Sequence, residues 1–213
     1  MRCIPSKEEM QRTLEARHGK ELQAKFTGST VAICGLGGLG SNIAVSLARA
    51  GIGRLILIDF DKVDISNLHR QQYQADQIGF YKTEALTENL KRIAPYVEIV
   101  SHSVHITEEN FQELLQDADI ICEAFDDAEA KAMLVNGVLE KLHTKYLIAA
   151  SGMAGLGSAN SIKTRRVMER FYLCGDGVSD VADDIGLVAP RVMLCAAHQA
   201  QMVLRILSGN YEP

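Results

Sequence analysis

Residues 35–40 read Gly-Leu-Gly-Gly-Leu-Gly, a glycine turn set between a short apolar run and an amphipathic one. In that setting each glycine has a separate task. Gly35 permits the tight turn, Gly37 lets the backbone approach a phosphate, and Gly40 allows a helix to lie close on the preceding strand. Amides at the start of that helix, with the positive end of its dipole, favour an anion. Asp59 closes the next apolar run, 19 residues beyond Gly40, where a carboxylate reaches a ribose diol. Strand, glycine turn, helix, strand and acid in this order predict a nucleotide site; a tight turn with no ligand is the plainer alternative. A nicotinamide dehydrogenase would read the same way to this point.

The next segment separates the two. Residues 59–72 are DFDKVDISNLHRQQ, and a dehydrogenase has no need of Asn-x-x-Arg-Gln there. Asn67 and Arg70 lie three apart, so on one helical turn they face the same way. The arginine fork matches phosphate oxygens. Lys82 opens the following helix and adds a second cation, and Asp61 joins the nucleotide-binding candidates. Asp126 follows the apolar run DIICEA, at the strand edge where open α/β sheets bind ligands. A carboxylate beside phosphates and two cations is a natural Mg²⁺ ligand. The set suits nucleotidyl transfer, in which positioning and electrostatics supply most of the catalysis. Taken singly, Arg70 and Lys82 also read as solvated charges, and Asp126 or Asp127 as a helix cap. Their recurrence at successive strand ends argues for a joint role.

The elements that must carry these residues follow an alternating pattern. Apolar runs at 30–34, 54–59, 97–102, 119–124 and 145–151 predict strands, and amphipathic stretches near 40–50, 82–93, 107–116 and 128–142 predict helices. Strands separated by helices of this size imply right-handed βαβ units, hence an α/β, Rossmann-like, mostly parallel sheet flanked by helices. Residues 1–29 predict an N-terminal helical extension, opened by a Ser6/Glu9 capping box, with 30–213 as the nucleotide-binding domain. After 151 the alternation stops: one or two strands are expected outside it. The Gly/Asp-rich stretch 174–186 is expected as an exposed loop and a last helix from Pro190 to about Ser208.

The 213 residues are 47% hydrophobic and 23% charged, with a formal charge of −5. This excludes bulk disorder and weighs against broad nucleic-acid or anionic-membrane binding. No apolar run reaches the length of a membrane span, and MRCIPSKEEM lacks a signal-peptide core; a cytoplasmic location is expected. Five cysteines, at 3, 34, 122, 174 and 195, form no C-x-x-C pair. Cys34, Cys122 and Cys195 read as small hydrophobes and Cys3 as a terminal bystander. His69 reads as a spacer within SNLHRQ and His198 as a packing residue.

GLGGLG, the acid-ended strand, SNLHRQQ, IGFYK and the downstream Asp together resemble the ThiF/MoeB/HesA family, bacterial relatives of ubiquitin-activating enzymes. SNIAVSLARAG, EAFDDAEAKAMLVN, AASGMAG and FYLCGD look most like a short ThiF of thiamine biosynthesis. The resemblance implies an adenylyltransferase that binds ATP and Mg²⁺. It would activate the C-terminal Gly-Gly carboxylate of a ubiquitin-fold sulfur carrier as an acyl-adenylate, releasing pyrophosphate. By position, Gly37 and Gly38 would belong to the phosphate loop and Asp59 would hold the ribose. Asn67, Arg70 and Lys82 would contact phosphates, Gln71 would support them, and Asp126 would hold magnesium. It also implies a homodimer, with Arg17 or Arg12 reaching the partner's nucleotide. Zinc is not expected, since the family's two C-x-x-C pairs are missing. Cys174 is the one position for a covalent link to the carrier, although a partly buried inert thiol is the favoured reading. Other readings stay open: the molybdopterin carrier, dehydration of a carboxylate-modified tRNA adenosine, a silent nucleotide- or carrier-binding module, and, last, a nicotinamide oxidoreductase.

Overall fold

The computed structural model describes residues 4–182 and 185–213. Seven strands form one sheet in the order β3-β2-β1-β4-β5-β7-β6. They are β1 (Thr30–Cys34), β2 (Arg54–Ile58), β3 (Glu98–His102), β4 (Ile120–Glu123), β5 (Tyr146–Ala150), β6 (Lys163–Met168) and β7 (Phe171–Gly175). All neighbours pair in parallel except the edge pair β6–β7, which is antiparallel. The expected α/β architecture is therefore present. β1, β2, β4 and β5 are mostly apolar and buried along nearly their whole length because helices cover both of their faces.

Side chains alternate between two cores. One lies between the sheet and α2 (Lys20–Thr27), α3 (Gly38–Ala50), α4 (Lys82–Ile93) and α7 (Ala189–Ser208), with Ile33, Leu57, Cys122 and Cys174 among its members. The other lies under α5 (Phe111–Leu115) and α6 (Ala128–Lys141), with Cys34, Ile58, Ile121 and Leu147. β1 feeds β2 on one side while β4 pairs on the other. The order thus reverses between β1 and β4, and such a switch point opens a crevice at the strand carboxyl ends.

Several elements differ from the periodicity. The N-terminal stretch is two helices, α1 (Lys7–His18) and α2, broken at Gly19, whose φ of 85° few side chains adopt. The Ser6/Glu9 capping box is formed on both sides. α1 buries no residue completely, whereas α2 buries Gln23 and Phe26, the latter within the main core. The helix expected over 107–116 shrinks to Phe111–Leu115. Asn110 explains this: its side chain accepts from Thr107 N–H and donates to His105 carbonyl, local bonds that compete with a helix start.

Candidate active site

The crevice is a cleft of about 670 Å³ bordered by the glycine turn, the ends of β2 and β4, the segment 67–71, and residues 150–154 and 179–181. Gly35, Gly37, Gly38, Asp59, Asp61, Asn67, Arg70, Gln71, Lys82 and Asp126 all line it. Of the glycine-turn and strand-end residues singled out from sequence, Gly40 stands back from it. A Cβ there would lie 1.8 Å from the Gly35 carbonyl oxygen, so the residue serves close packing of α3 on the turn. Gly35 has φ 89°, and a Cβ would meet the Ala124 carbonyl oxygen at 2.8 Å. The turn thus nests against the β4–α6 connection. Gly37 has open space, with nothing closer than Gln71 Nε2 at 3.8 Å. Gly38 makes room for Val192 of α7 and for the aliphatic stem of Arg70.

Asp59 is buried, and its two oxygens are already engaged. Oδ2 accepts from Leu36 N–H at 2.6 Å and Oδ1 from Asp61 N–H at 2.7 Å. Burial pushes its carboxyl up from the ordinary aspartate range, against the opposing pull of Lys82 and these two amides. Lys82 is also buried. Its Nζ donates to Asp61 Oδ2 at 2.7 Å and lies 3.9 Å from Asp59 Oδ2. Tyr73 completes the support by donating its hydroxyl proton to Leu36 carbonyl at 2.7 Å.

Asn67 and Arg70 do share the cleft wall, on a 3₁₀ turn at Ile65–Asn67 and the turn after it rather than on an α-helix. Gln71 Nε2 donates to Asn67 Oδ1 at 2.6 Å. Arg70 Nε and Gln71 Oε1 are buried without a hydrogen-bond partner, so this wall carries unmet polar demand. Across the cleft, Asp127 rather than Asp126 caps α6, accepting from Ala130 N–H at 2.7 Å. Asp126 is left exposed at the cleft rim.

Cys174 lies in β7, completely buried within the main core rather than at the mouth of a loop. Burial raises its thiol to about 11, opposed only weakly by Thr164 and Arg165. That is the environment of an inert thiol, and a covalent role would require β7 to open. Cys34, Cys122 and Cys195 are buried too, and Cys3 lies outside the described residues. His198 Nδ1 sits 3.0 Å from Thr164 Oγ1, a packing arrangement. His69, exposed, is 3.3 Å from Leu187 carbonyl and 3.2 Å from Arg70 Nη1, and does not border the cleft. Arg12 and Arg17 stand exposed on α1, away from it. The 174–186 loop borders the cleft through Ser179, Asp180 and Val181; residues 183 and 184 of it lie outside the described residues.

Six residues at or beside the cleft were not singled out from the sequence. Phe60 and His105 stack at 4.3 Å beside Asp59, at the cleft rim. Lys131, on α6, reaches Glu123 at the end of β4. Arg191, in the first turn of α7, forms a buried ion pair with Asp176 and donates to the Gly157 and Ser158 carbonyls at 2.6 and 2.9 Å, tying both cleft-wall loops to one helix. Two signals were present: a carboxylate inside the apolar run IICE, and a cation at a helix N-terminus, where the dipole disfavours it.

A model of the ThiF family matches residues 10–213, and the chain belongs to that family. It is 30% identical over 205 residues to the adenylyltransferase and sulfurtransferase MOCS3 of Aedes aegypti, covering 90% of this chain and 45% of that protein. A shorter stretch of 78 residues is 49% identical to ubiquitin-like modifier-activating enzyme 5 of Caenorhabditis elegans, 37% of this chain and 19% of that one. The chain spans about half the length of the first of these relatives or less. In fold it is similar to the E. coli tRNA N6-threonylcarbamoyladenosine dehydratase TcdA, solved with ATP, at a TM-score of 0.86 and 19% identity, over 97% of this chain and 98% of that one.

Proposed function

We propose that this protein is an ATP-dependent adenylyltransferase that activates the C-terminal Gly-Gly carboxylate of a ubiquitin-fold carrier protein. The observation that carries the reading is the wall of Arg70, Gln71 and Lys82 facing a cleft whose other rim holds Asp126, with Arg70 Nε and Gln71 Oε1 buried and unpartnered. The glycine turn and Asp59 would receive the ribose and phosphates. Arg70 and Lys82 would draw charge from the phosphates as the acceptor carboxylate attacks the α-phosphorus and pyrophosphate departs, forming the acyl-adenylate. A carboxylate is already a nucleophile at neutral pH, so no general base is needed.

Among the described residues no cluster of three or more His, Cys, Asp or Glu side chains could hold a metal. One carboxylate at a phosphate cleft nevertheless fits Mg²⁺, which takes most of its ligands from phosphates and water. Asp126 would be its protein ligand, and the ion would offset phosphate charge.

The thiamine sulfur carrier is the finer reading, supported by the motif resemblance. ATP–pyrophosphate exchange with purified candidate acceptors tests it: carriers of thiamine and of molybdopterin synthesis, and a tRNA with a carboxylate-modified adenosine. Exchange with the thiamine carrier alone is expected. Exchange only with the tRNA would move the substrate class, and tight NAD binding without any exchange would overturn the reading. Asp126→Ala should abolish exchange with the fold intact, and Arg70→Ala should reduce it about a hundredfold or more. The N-terminal Arg17 is proposed as a cross-subunit contact in a homodimer; mixed dimers of Arg17→Ala with a cleft-dead Asp126→Ala chain would recover no activity if that residue serves its own subunit.

A further inference from the structure

Glu123 and Lys131 have no part in the reading above, yet they lie directly beneath it. Glu123 is the last residue of β4 and fully buried. Its Oε1 accepts from Phe125 N–H at 2.7 Å, and its Oε2 lies 2.6 Å from Lys131 Nζ. The same ammonium donates to Ala150 carbonyl, the last residue of β5, at 3.0 Å. One cation therefore joins the ends of two neighbouring central strands, and one carboxylate shapes the turn that presents Asp126. The other cleft wall, Ser151–Ala154, starts at the residue after Ala150. A buried ion pair is a weak source of stability, because desolvation offsets the attraction; apolar replacements of similar volume are often neutral. Its place at two strand ends points to geometry instead.

We propose that the Glu123–Lys131 pair is a positioning clamp: it fixes the 124–127 turn so that Asp126 meets a divalent cation carried by the nucleotide, and it sets the distance from that turn to the Ser151–Ala154 wall. This rests on reading the cleft as a magnesium–nucleotide site. Lys131 borders the cleft with 27% of its side chain exposed, so direct contact with phosphate is the competing role.

The test compares the wild-type protein with the double variant Glu123→Leu/Lys131→Met, which removes both charges together, and with Lys131→Arg, which keeps the clamp's cation. ATP binding is titrated calorimetrically with Mg²⁺ and with chelator, and backbone hydrogen exchange is followed by mass spectrometry. In the double variant, metal-free ATP affinity should stay within about twofold of wild type. The gain from adding Mg²⁺ should shrink at least about fivefold, and exchange should rise in peptides spanning 122–128 but not in those spanning 30–34. Lys131→Arg should recover most of the Mg²⁺ gain. An unchanged Mg²⁺ gain overturns the clamp. So does a tenfold loss of metal-free affinity, which would make Lys131 a phosphate ligand, and so does exchange rising throughout the chain, which would make the pair a plain stability element. If the wild-type chain binds no nucleotide, the reading of the cleft fails; the clamp on the turn is then still decided by exchange at 122–128, and no change there overturns it as well.

Discussion

Asp59 holds two backbone amides and, in the proposed reading, would also accept from a ribose diol. Its oxygens hold the Leu36 and Asp61 amides, and the same carboxylate faces the cleft where a ribose diol would sit. Burial is the largest influence on it and raises its proton affinity, so it protonates at a higher pH than an ordinary aspartate, about 3.9. The ionised form is the one that accepts hydrogen bonds from hydroxyls. Nucleotide affinity should therefore fall on acidification through this raised value. In Asp59→Asn it should be weaker throughout and flat over the same window, as read by calorimetry at a series of pH values. A wild-type profile that stays flat down to the ordinary carboxylate range would contradict the role. The sequence put residues 59, 67, 70, 82 and 126 forward as a set, and all five border the same cleft. The sequence put Asp126 forward as the metal ligand but left the helix cap open between Asp126 and Asp127, and the geometry assigns the cap to Asp127.

At the level of elements, the close approach of α3 to the glycine turn rests on a missing methyl group. A Cβ at position 40 meets the Gly35 carbonyl oxygen at 1.8 Å, a backbone atom that cannot swing aside. Gly40→Ala should thus cost about 3 kcal/mol or more in denaturant unfolding and weaken nucleotide binding, since α3 would be pushed off the site. α1 offers the contrast. Ser6→Ala removes a capping box on a helix with no fully buried residue, so it should cost about 1 kcal/mol at most and leave the cleft untouched. A larger loss would mean that α1 carries more of the fold than its burial suggests. β1, β2, β4 and β5 and the helices α3, α4 and α7 could be read from hydrophobic period because each buries several apolar side chains on one face or both. The short α5 could not, because Asn110 satisfies backbone groups that a longer helix would have used.

Across the whole molecule, Arg191 fastens the two irregular loops of the cleft wall to α7. Asp176 feels burial most strongly, which favours its neutral form. The Ser179 and Val178 amides, the Ser179 hydroxyl and the Arg191 guanidinium together outweigh this and hold its carboxyl below the usual range. A carboxyl held low in the fold stabilises it above the unfolded-state value near about 3.9, and that contribution is lost as the pH falls towards the folded value. Asp176→Asn should accordingly be less stable than wild type at neutral pH, with the gap closing in strong acid. Arg191→Met, which leaves a buried carboxylate without its cation, should cost about 3 kcal/mol at neutral pH. Thermal unfolding across pH measures both. A constant gap between wild type and Asp176→Asn down to the most acidic conditions would remove the ion pair from the account.

The chain of residue types dictated the alternation of elements and the parallel sheet, and it put forward residues that the fold gathers on one cleft, because these depend on local period and on spacing along one βαβ unit. The third dimension decided which residues support them. Glu123 with Lys131, Asp176 with Arg191, and Phe60 with His105 are pairs drawn from separate elements, and no periodicity records a contact made only when strands and helices pack. Cys174 is a further case: the sequence favours a partly buried inert thiol, and the pairing of β7 with β5 and β6 buries it completely, in the core under α7.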